Sequence, residues 1–70
     1  MKSPYVIEAI TGLPGERHQQ RIGMPRVSFD KAKDGARDAS IIHGHAYVYG
    51  FDGHIYAAYE GGNELPREQW

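Results

Sequence analysis

The stretch Gly44–Gly62, which reads GHAYVYGFDGHIYAAYEGG, constrains the fold of this chain more than any other. Two alternating runs, His45–Phe51 and His54–Glu60, flank Asp52-Gly53, a dipeptide typical of tight β-hairpin turns. A type I′ turn requires positive φ at both central positions, which Gly adopts freely and Asp tolerates. The pattern therefore predicts a β-hairpin closed by a two-residue turn.

This register predicts two chemically different faces for the hairpin, because directly opposed residues lie on the same face of a sheet. The first face has the larger and more polar side chains: His45, Tyr47, Tyr49, Phe51, His54, Tyr56, Ala58 and Glu60. The second face has the smaller, mostly aliphatic ones: Ala46, Val48, Gly50, Ile55, Ala57 and Tyr59. We expect the second face to build the core. The first is expected to be available for binding, unless the first strand or the C-terminal tail covers its rings.

Two further strands precede the hairpin. Tyr5–Ile10 is apolar on both sides, which favours a strand in the middle of the sheet or one covered on both faces. Gln19–Val27 contains Gly23 and Pro25, which favour an edge strand or a β-bulge near Gly23. The tail Glu64–Trp70 is a candidate for a short additional edge strand.

A single amphipathic helix is predicted between the second strand and the hairpin. Ser28 is a typical N-cap residue, and we expect the helix to end near Ser40–Ile42. A stripe of mostly small residues recurs at helical spacing: Phe29, Ala32, Ala36 and Ala39. This stripe fits the small face of the hairpin at close distance. The sequence thus predicts a single small α+β domain over residues 1–70, in the order β-β-α-β-β. Its antiparallel sheet has four strands, or five if the tail joins, and one helix packs on one face.

The composition disfavours several functional classes. The chain of 70 residues has no cysteine, so it has no disulfide framework, no thiol nucleophile and no Cys-based zinc site. No apolar run approaches the ~18 residues of a membrane span. The formal net charge of −1 lacks the basic excess typical of free-standing nucleic-acid binders. We therefore expect a small cytoplasmic interaction module.

A metal centre is not favoured by the histidines. His43 and His45 form an HxH pair, and Glu60 is predicted to lie opposite His45, so a zinc site can be drawn from these three residues. However, His43 is expected in the turn after the helix, and no fourth ligand is evident. We expect no metal and no cofactor.

Catalysis is not favoured either. The helix carries carboxylates at i, i+4 spacing with basic residues between them, a pattern typical of a solvated helix face. These residues are Asp30, Asp34 and Asp38 with Lys31, Lys33 and Arg37. No serine-centred motif accompanies them, so we expect a protein that is not an enzyme.

Nucleic-acid binding remains an alternative because sheet aromatics can stack on bases. Tyr47, Tyr49 and Tyr56 are the candidate stacking residues. The hairpin offers no Lys or Arg near them, and basic residues supply most of the affinity for nucleic acid. Recognition of a protein by the aromatic face or by the helix end fits the composition better.

An ordered set of short motifs covers nearly the full length of the chain: Met1-Lys2 with Tyr5 and Ile7, Glu16-Arg17, Ser28 with Ala32-Lys33 and Ala36, His43-Gly44, Gly53, and Ala58-Tyr59. In these motifs the chain resembles the small phage-encoded anti-CRISPR proteins that inhibit type I CRISPR–Cas surveillance complexes. It is similar to a type I-F inhibitor that binds the Cas7 backbone. About two extra residues precede the helix in this chain.

The resemblance implies a non-catalytic inhibitor that docks on Cas7 and prevents target DNA from pairing with the guide. Its relatives bind mainly through the helix and its C-terminal end, which carries over to Lys33, Ser40 and Ile42. Asp34, Asp38 and Glu60 stand where the similar protein has basic residues that hold duplex DNA. An acidic face of this kind can approach the basic DNA channel of the complex, and the different surface suggests another subtype such as type I-C.

Two candidate docking surfaces follow from these considerations, one at the helix and one on the aromatic face of the hairpin. The candidate partner-binding residues are Lys33, Asp34, Arg37, Asp38, Ser40, Ile42, Tyr47, Tyr49 and Tyr56.

Overall fold

The computed structural model describes residues 5–11, 15–26, 28–50 and 52–70, in which one helix packs on an antiparallel sheet. In chain order the elements are β1 (Tyr5–Thr11), β2 (His18–Arg26), α1 (Phe29–His43), β3 (His45–Tyr49), β4 (Ile55–Glu60), β5 (Asn63–Glu64) and a short 3-10 helix (Arg67–Gln69). The strand order is β2-β1-β3-β4-β5, and the fifth strand overlaps the predicted tail strand only at Glu64. The predicted α+β fold is confirmed. Val27 and Phe51, which the sequence places in the second strand and the hairpin, lie outside the described residues.

The first two strands have the predicted places in the sheet. β1 lies between β2 and β3, and β2 forms an edge. The pairing of β1 with β2 shifts between the Tyr5–Arg26 pair and the Ile7–Ile22 pair. Gly23 lies in this irregular part with φ +70°, a conformation that glycine adopts without steric cost. The predicted edge position of this strand is confirmed, and its pairing is irregular around Gly23, where a bulge was the alternative prediction.

The helix begins and ends with local hydrogen bonds that its sequence provides. The Ser28 hydroxyl accepts from the N–H of Lys31 at 3.4 Å, as expected of the N-cap residue. The last helical residue is His43, one beyond the predicted end at Ser40–Ile42. Gly44 follows with φ +98°, and its N–H donates to the Ser40 carbonyl at 2.8 Å. A glycine with positive φ commonly ends a helix in this way.

The core between α1 and the sheet is built mainly from small side chains. Its buried members are Ile7, Ala9, Ala32, Ala36, Ala39, Ala46, Val48, Ala57 and Tyr59. The predicted match between the alanine stripe of the helix and the small face of the hairpin is therefore confirmed. Because interiors are close-packed, a core with so few large side chains is sensitive to single changes of volume.

The hairpin has the predicted register only in its outer part. β3 and β4 pair as predicted from the His45–Glu60 pair inward. Near the turn, Tyr49 pairs with Ile55, and the register shifts by one residue. Tyr56 is thereby left as the extra residue of a β-bulge. The predicted pairing of Tyr49 with Tyr56 is wrong.

The turn differs from the predicted two-residue type I′ turn. The Gly50 N–H donates to the His54 carbonyl at 2.9 Å, and the Gly53 N–H donates to the Gly50 carbonyl at 3.0 Å. Gly53 has φ +84°, but among the described residues no non-glycine residue has positive φ, which excludes a type I′ turn at Asp52. Instead, an Asp52 carboxylate oxygen accepts from the N–H of His54 at 3.0 Å. This side-chain turn stabilises a three-residue loop, and the following bulge restores the register.

Candidate docking surfaces

The outer side of α1 carries two parallel rows of side chains, each ending in an isoleucine. Residues four apart are neighbours on a helix surface. The rows are Lys33, Arg37, Ile41 and Asp34, Asp38, Ile42. All of these residues are exposed except Lys33, which is half-buried. We call these six residues the helix-end surface.

The two isoleucines are the most exposed large hydrophobic side chains among the described residues. Ile41 is 63% exposed and Ile42 is 76% exposed. Both fall outside the stripe that α1 buries against the sheet, so the fold gives them no core partner. An apolar pair beside charged side chains is the arrangement found where a binding anchor has a polar rim.

The charged residues of the helix-end surface are only partly paired. Arg37 lies 3.5 Å from an Asp34 carboxylate oxygen, and both side chains are exposed. Such exposed pairs contribute little to stability and are easily rearranged. Among the described residues, Asp38 takes part in no salt bridge. Its carboxylate and that of Asp34 are therefore available to a basic partner.

Lys33 has a structural role in addition to its predicted place in the docking surface. Its ammonium lies 3.4 Å from a Glu64 carboxylate oxygen and 5.4 Å from the centre of the Phe29 ring. The same Glu64 oxygen accepts from the Tyr59 hydroxyl at 3.4 Å. Burial is the main cause that raises the pKa of Tyr59. These contacts connect α1 to β5.

Ser40 does not belong to a docking surface in this structure, contrary to the position carried over from the resemblance. Its side chain is fully buried. The hydroxyl donates to the Arg37 carbonyl at 2.7 Å and accepts from the N–H of Gly62 at 2.8 Å. The first contact lies within α1 and the second holds the end of α1 against the turn between β4 and β5, so we assign Ser40 to the fold.

A ladder of three rings follows β3 on the sheet face opposite α1. His45 and Tyr47 are stacked, with ring centres 5.8 Å apart and planes at 18°. Tyr49 is tilted against Tyr47 with a centre distance of 6.3 Å. All three side chains are half-buried, less exposed than an unprotected binding face would be. We call these three residues the aromatic ladder.

Polar residues of the first two strands lie beside the aromatic ladder. The Gln19 amide donates to the Tyr49 hydroxyl at 2.6 Å and to a Glu8 carboxylate oxygen at 3.1 Å. Arg21 pairs directly with Glu8 across β1 and β2, so both side chains share this face. The second strand thus provides a cation that the hairpin sequence alone does not.

Tyr56 lies on the helix side of the sheet, so its predicted place beside the aromatic ladder is wrong. Its ring centre lies 5.7 Å from that of Tyr5 and 6.4 Å from that of Phe29. A Cβ on Gly50 would lie only 2.9 Å from carbons of the Tyr56 ring, so this glycine leaves room for the ring. The bulge at Tyr56 causes the change of face, because one extra residue reverses the alternation of side chains.

The reoriented Tyr56 helps to form a cleft between the hairpin turn and the C-terminal 3-10 helix. The cleft has a volume of about 580 Å³. Its lining includes three aromatic and three polar side chains: Phe29, Tyr56, Trp70, Asp52, His54 and Arg67. The volume lies in the range of small-molecule sites, but the cleft is open and half of its lining is polar.

Hydrogen bonds fix the acidic side of this cleft. One Asp52 oxygen accepts from the His54 N–H at 3.0 Å, and the other accepts from the Tyr56 hydroxyl at 2.8 Å. The backbone bond and then the hydroxyl bond lower the pKa of Asp52. The bond to Asp52 is in turn the main cause that raises the pKa of Tyr56. Asp52 is therefore a carboxylate throughout the neutral range.

The zinc site that can be drawn from the sequence does not come together. His45 opposes Glu60 across the hairpin, as predicted, and His43 is the last residue of α1. Within residues 5–11, 15–26, 28–50 and 52–70, no three histidine or carboxylate side chains are grouped so that they can hold a metal ion. The same residues include no helix of sufficient length and apolarity to cross a membrane.

Comparison with known proteins does not assign this chain to a class. No protein-family model, curated protein or solved structure matches the chain. The class is therefore described by the structure itself: a small α+β domain with an apolar pair at the helix end, an aromatic ladder on the sheet and a cleft beside the turn.

Two parts of these surfaces, Ile41 and the cleft, are absent from the predictions made from the sequence. Only the exposure of Ile41 has a local signal in the sequence. Ile41 is as far from the buried stripe as Ile42, so its exposure follows from the helical period alone. The cleft, in contrast, combines Phe29, the segment 52–56 and the segment 67–70. No local pattern indicates that these three parts of the chain meet.

Proposed function

We propose that this protein is a non-catalytic inhibitor of a type I CRISPR surveillance complex, acting in the cytoplasm of a host cell. In this proposal it binds Cas7 through the helix-end surface and prevents target DNA from pairing with the guide. The resemblance in the sequence motivates the choice of target. The observation that carries the choice of surface is the exposure of Ile41 and Ile42 beside two carboxylates.

The chemistry of the helix-end surface suits a basic protein channel. Asp34, Asp38 and Ile42 lie in one row, so a partner that covers the isoleucine also approaches both carboxylates. A DNA-binding channel is rich in Lys and Arg because it must neutralise phosphates. Two carboxylates can occupy part of such a channel by charge complementarity, while the isoleucines supply the desolvated anchor.

Co-purification with purified Cas7-containing complexes tests the proposal. We expect the chain to elute with a complex of at least one type I subtype and to abolish its binding of a fluorescent target duplex. Failure to bind complexes of several type I subtypes contradicts the proposed target.

Matched variants test the surface. We expect Ile42→Ser with Ile41→Ser, and Asp34→Lys with Asp38→Lys, each to weaken binding at least tenfold while the circular dichroism spectrum stays unchanged. Tyr47→Ser on the other face and Glu68→Lys in the 3-10 helix are the controls, and they should bind as the wild type does. Equal losses in the controls contradict the assignment to the helix end.

A second candidate function is nucleic-acid binding through the aromatic ladder. The observation that favours it is that β2 brings Arg21 to the face that carries Tyr47 and Tyr49. Fluorescence anisotropy with single-stranded and duplex oligonucleotides at physiological salt tests it. Binding that is lost in Tyr47→Ala and weakened in Arg21→Ala supports this function. If the wild type binds no oligonucleotide, this second function is contradicted and the proposal of protein binding stands.

A further inference from the structure

The ring faces near the cleft beside the hairpin turn already hold positively charged groups. The Arg67 guanidinium lies over the Trp70 ring, 5.9 Å from its centre. The Lys33 ammonium lies over the Phe29 ring at 5.4 Å. Aromatic faces attract cations through their quadrupole, most strongly for Trp. Two rings at the cleft therefore already make cation–π contacts with side chains of this chain.

The cleft also contains a carboxylate with free acceptor capacity. Asp52 is exposed, and each of its oxygens accepts one hydrogen bond from this chain. A carboxylate oxygen can accept about two, so one acceptor site remains on each oxygen. Two such sites on one carboxylate match the paired N–H groups of a guanidinium. The low pKa of Asp52 keeps this charge in place at neutral pH.

The charged groups at the cleft lie on different sides of it. Asp52 and Arg67 line the cleft, and Lys33 lies beside it over the Phe29 ring. Asp52 is the carboxylate among the lining residues, so it is the group that attracts a basic ligand.

We infer that the cleft receives an arginine side chain from a basic segment of a partner protein. The guanidinium stacks on Trp70 in place of Arg67 and donates to the two open acceptor sites of Asp52. Arginine suits the cleft better than lysine, because its planar group both stacks on rings and binds a carboxylate at two points. Arg67 acts as an internal stand-in that moves into solvent when the partner binds.

The two isoleucines of the helix-end surface lie away from this cleft, although Lys33 of that surface lies over the Phe29 ring that lines the cleft. Phe29 begins α1, whereas Ile41 is twelve residues further along, which is about 18 Å at 1.5 Å per residue. The cleft can therefore bind a basic segment whether or not the target is a CRISPR complex.

An NMR titration of the ¹⁵N-labelled full chain tests the inference with three probes. The probes are the acetylated and amidated tripeptides Gly-Arg-Gly and Gly-Lys-Gly, and benzoate as a planar anion. We expect Gly-Arg-Gly to shift the Trp70 indole N–H and the His54 amide with a millimolar dissociation constant. Gly-Lys-Gly should bind at least about threefold more weakly, because it lacks the planar, two-point contact.

Arg67→Gln gives the sharpest result, because the sign of its effect separates a cation site from an anion site. Removal of the stand-in should strengthen Gly-Arg-Gly binding by about threefold, the size of one exposed cation–π contact. If Arg67 instead anchors an anion, benzoate shifts the same resonances and Arg67→Gln abolishes that binding. That result overturns the inference.

Variants on the acidic side complete the test. Asp52→Asn should abolish Gly-Arg-Gly binding, while Glu68→Gln, with the same change of net charge, should reduce it only slightly. Because Asp52→Asn also affects the turn, Tyr56→Phe provides a second measurement: it retains the ring, frees one more acceptor site on Asp52 and should not weaken binding. No shift with Gly-Arg-Gly, equal affinity for both peptides, or concentration-dependent shifts without peptide, which place a second copy in the cleft, each overturn the inference.

Discussion

The two faces of the sheet use side chains of very different size. The closed face, toward α1, consists mainly of small side chains, with Ala9, Ala46 and Val48 fully buried. The opposite, open face carries the aromatic ladder, whose rings are half-buried and in which the Tyr49 hydroxyl accepts a hydrogen bond from Gln19. Small residues allow the helix to approach closely, so this face is specialised for packing. The large amphipathic residues shield their own face without a second layer, which leaves it adaptable.

The difference implies that equal substitutions should have unequal effects on the two faces. A change of volume on the closed face meets atoms on all sides, because nothing there can relax into solvent. A change on the open face is absorbed by water and by neighbouring long side chains. Four measurements, in decreasing order of expected effect, test whether the two faces differ in this way.

The largest effect is expected from two isoleucines of β1 that point to opposite faces. Ile7 is 1% exposed on the closed face, whereas Ile10 is half-buried on the open face. Ile7→Ala should lower the free energy of unfolding by about 3 kcal/mol, because it leaves a cavity in a small core. Ile10→Ala should lower it by about 1 kcal/mol. Urea denaturation compares the two, and equal losses contradict the division into a closed and an open face.

The next effect concerns the buried hydroxyl of Ser40. Ser40→Ala leaves the N–H of Gly62 without its acceptor and should lower the free energy of unfolding by about 2 kcal/mol. The control is Ser28→Ala, which removes only an exposed cap bond and should cost about 1 kcal/mol. A Ser40→Ala protein of unchanged stability that has lost partner binding contradicts our assignment of Ser40 to the fold.

Tyrosines on the two faces provide a comparison of the same residue type. Tyr56→Ala should lower the free energy of unfolding by about 1.5 kcal/mol, since its ring contacts Tyr5 and Phe29 and covers Gly50. Tyr47→Ala should cost less than about 1 kcal/mol on the open face. Thermal denaturation followed by circular dichroism measures both. A reversal of the order indicates that the aromatic ladder is the better packed of the two clusters.

The smallest effect concerns the pKa of Asp52, which lies below its ordinary value of 3.8. Since the folded state favours the ionised form, the stabilisation from Asp52 is complete above about pH 4 and is lost as the pH falls through the lower folded value. Tyr56→Phe removes the second cause of the shift, so the pKa should rise part of the way toward 3.8. NMR titration of the Asp52 carboxyl carbon measures it. An unchanged pKa in Tyr56→Phe contradicts a role for this hydroxyl.

Most of the fold is predictable from the sequence because each element has a local signal. Ser28 begins the helix, the alanine stripe selects its buried face, and Gly23 marks the bulge in the edge strand. The hairpin shows the limit of such reasoning. A two-residue and a three-residue loop fit the same alternating pattern, and the choice depends on whether Asp52 accepts a hydrogen bond from His54.

That single choice decides where Tyr56 lies, and Tyr56 is one of the three candidate residues predicted on the aromatic face. The extra residue lies in β4 and the alternation along β3 is unaffected, so Tyr47 and Tyr49 keep their predicted face. The burial of Ser40 was also beyond the sequence, because its hydrogen-bond partner, Gly62, is distant in the chain. Exposure at Ile42 follows from helical periodicity, whereas the cleft depends on contacts between segments that no local pattern connects.

The contacts at the end of α1 have a consequence for the kinetics of binding. The Ser40 hydroxyl accepts a hydrogen bond from the N–H of Gly62, and the Gly61 N–H donates to the Gly44 carbonyl at 3.0 Å. These bonds order the last helical turn before any partner arrives. A preorganised anchor loses little conformational entropy on association, so its advantage appears mainly as a slower dissociation rate. We expect loosening of this connection to shorten the lifetime of a complex even when every contacting side chain is retained.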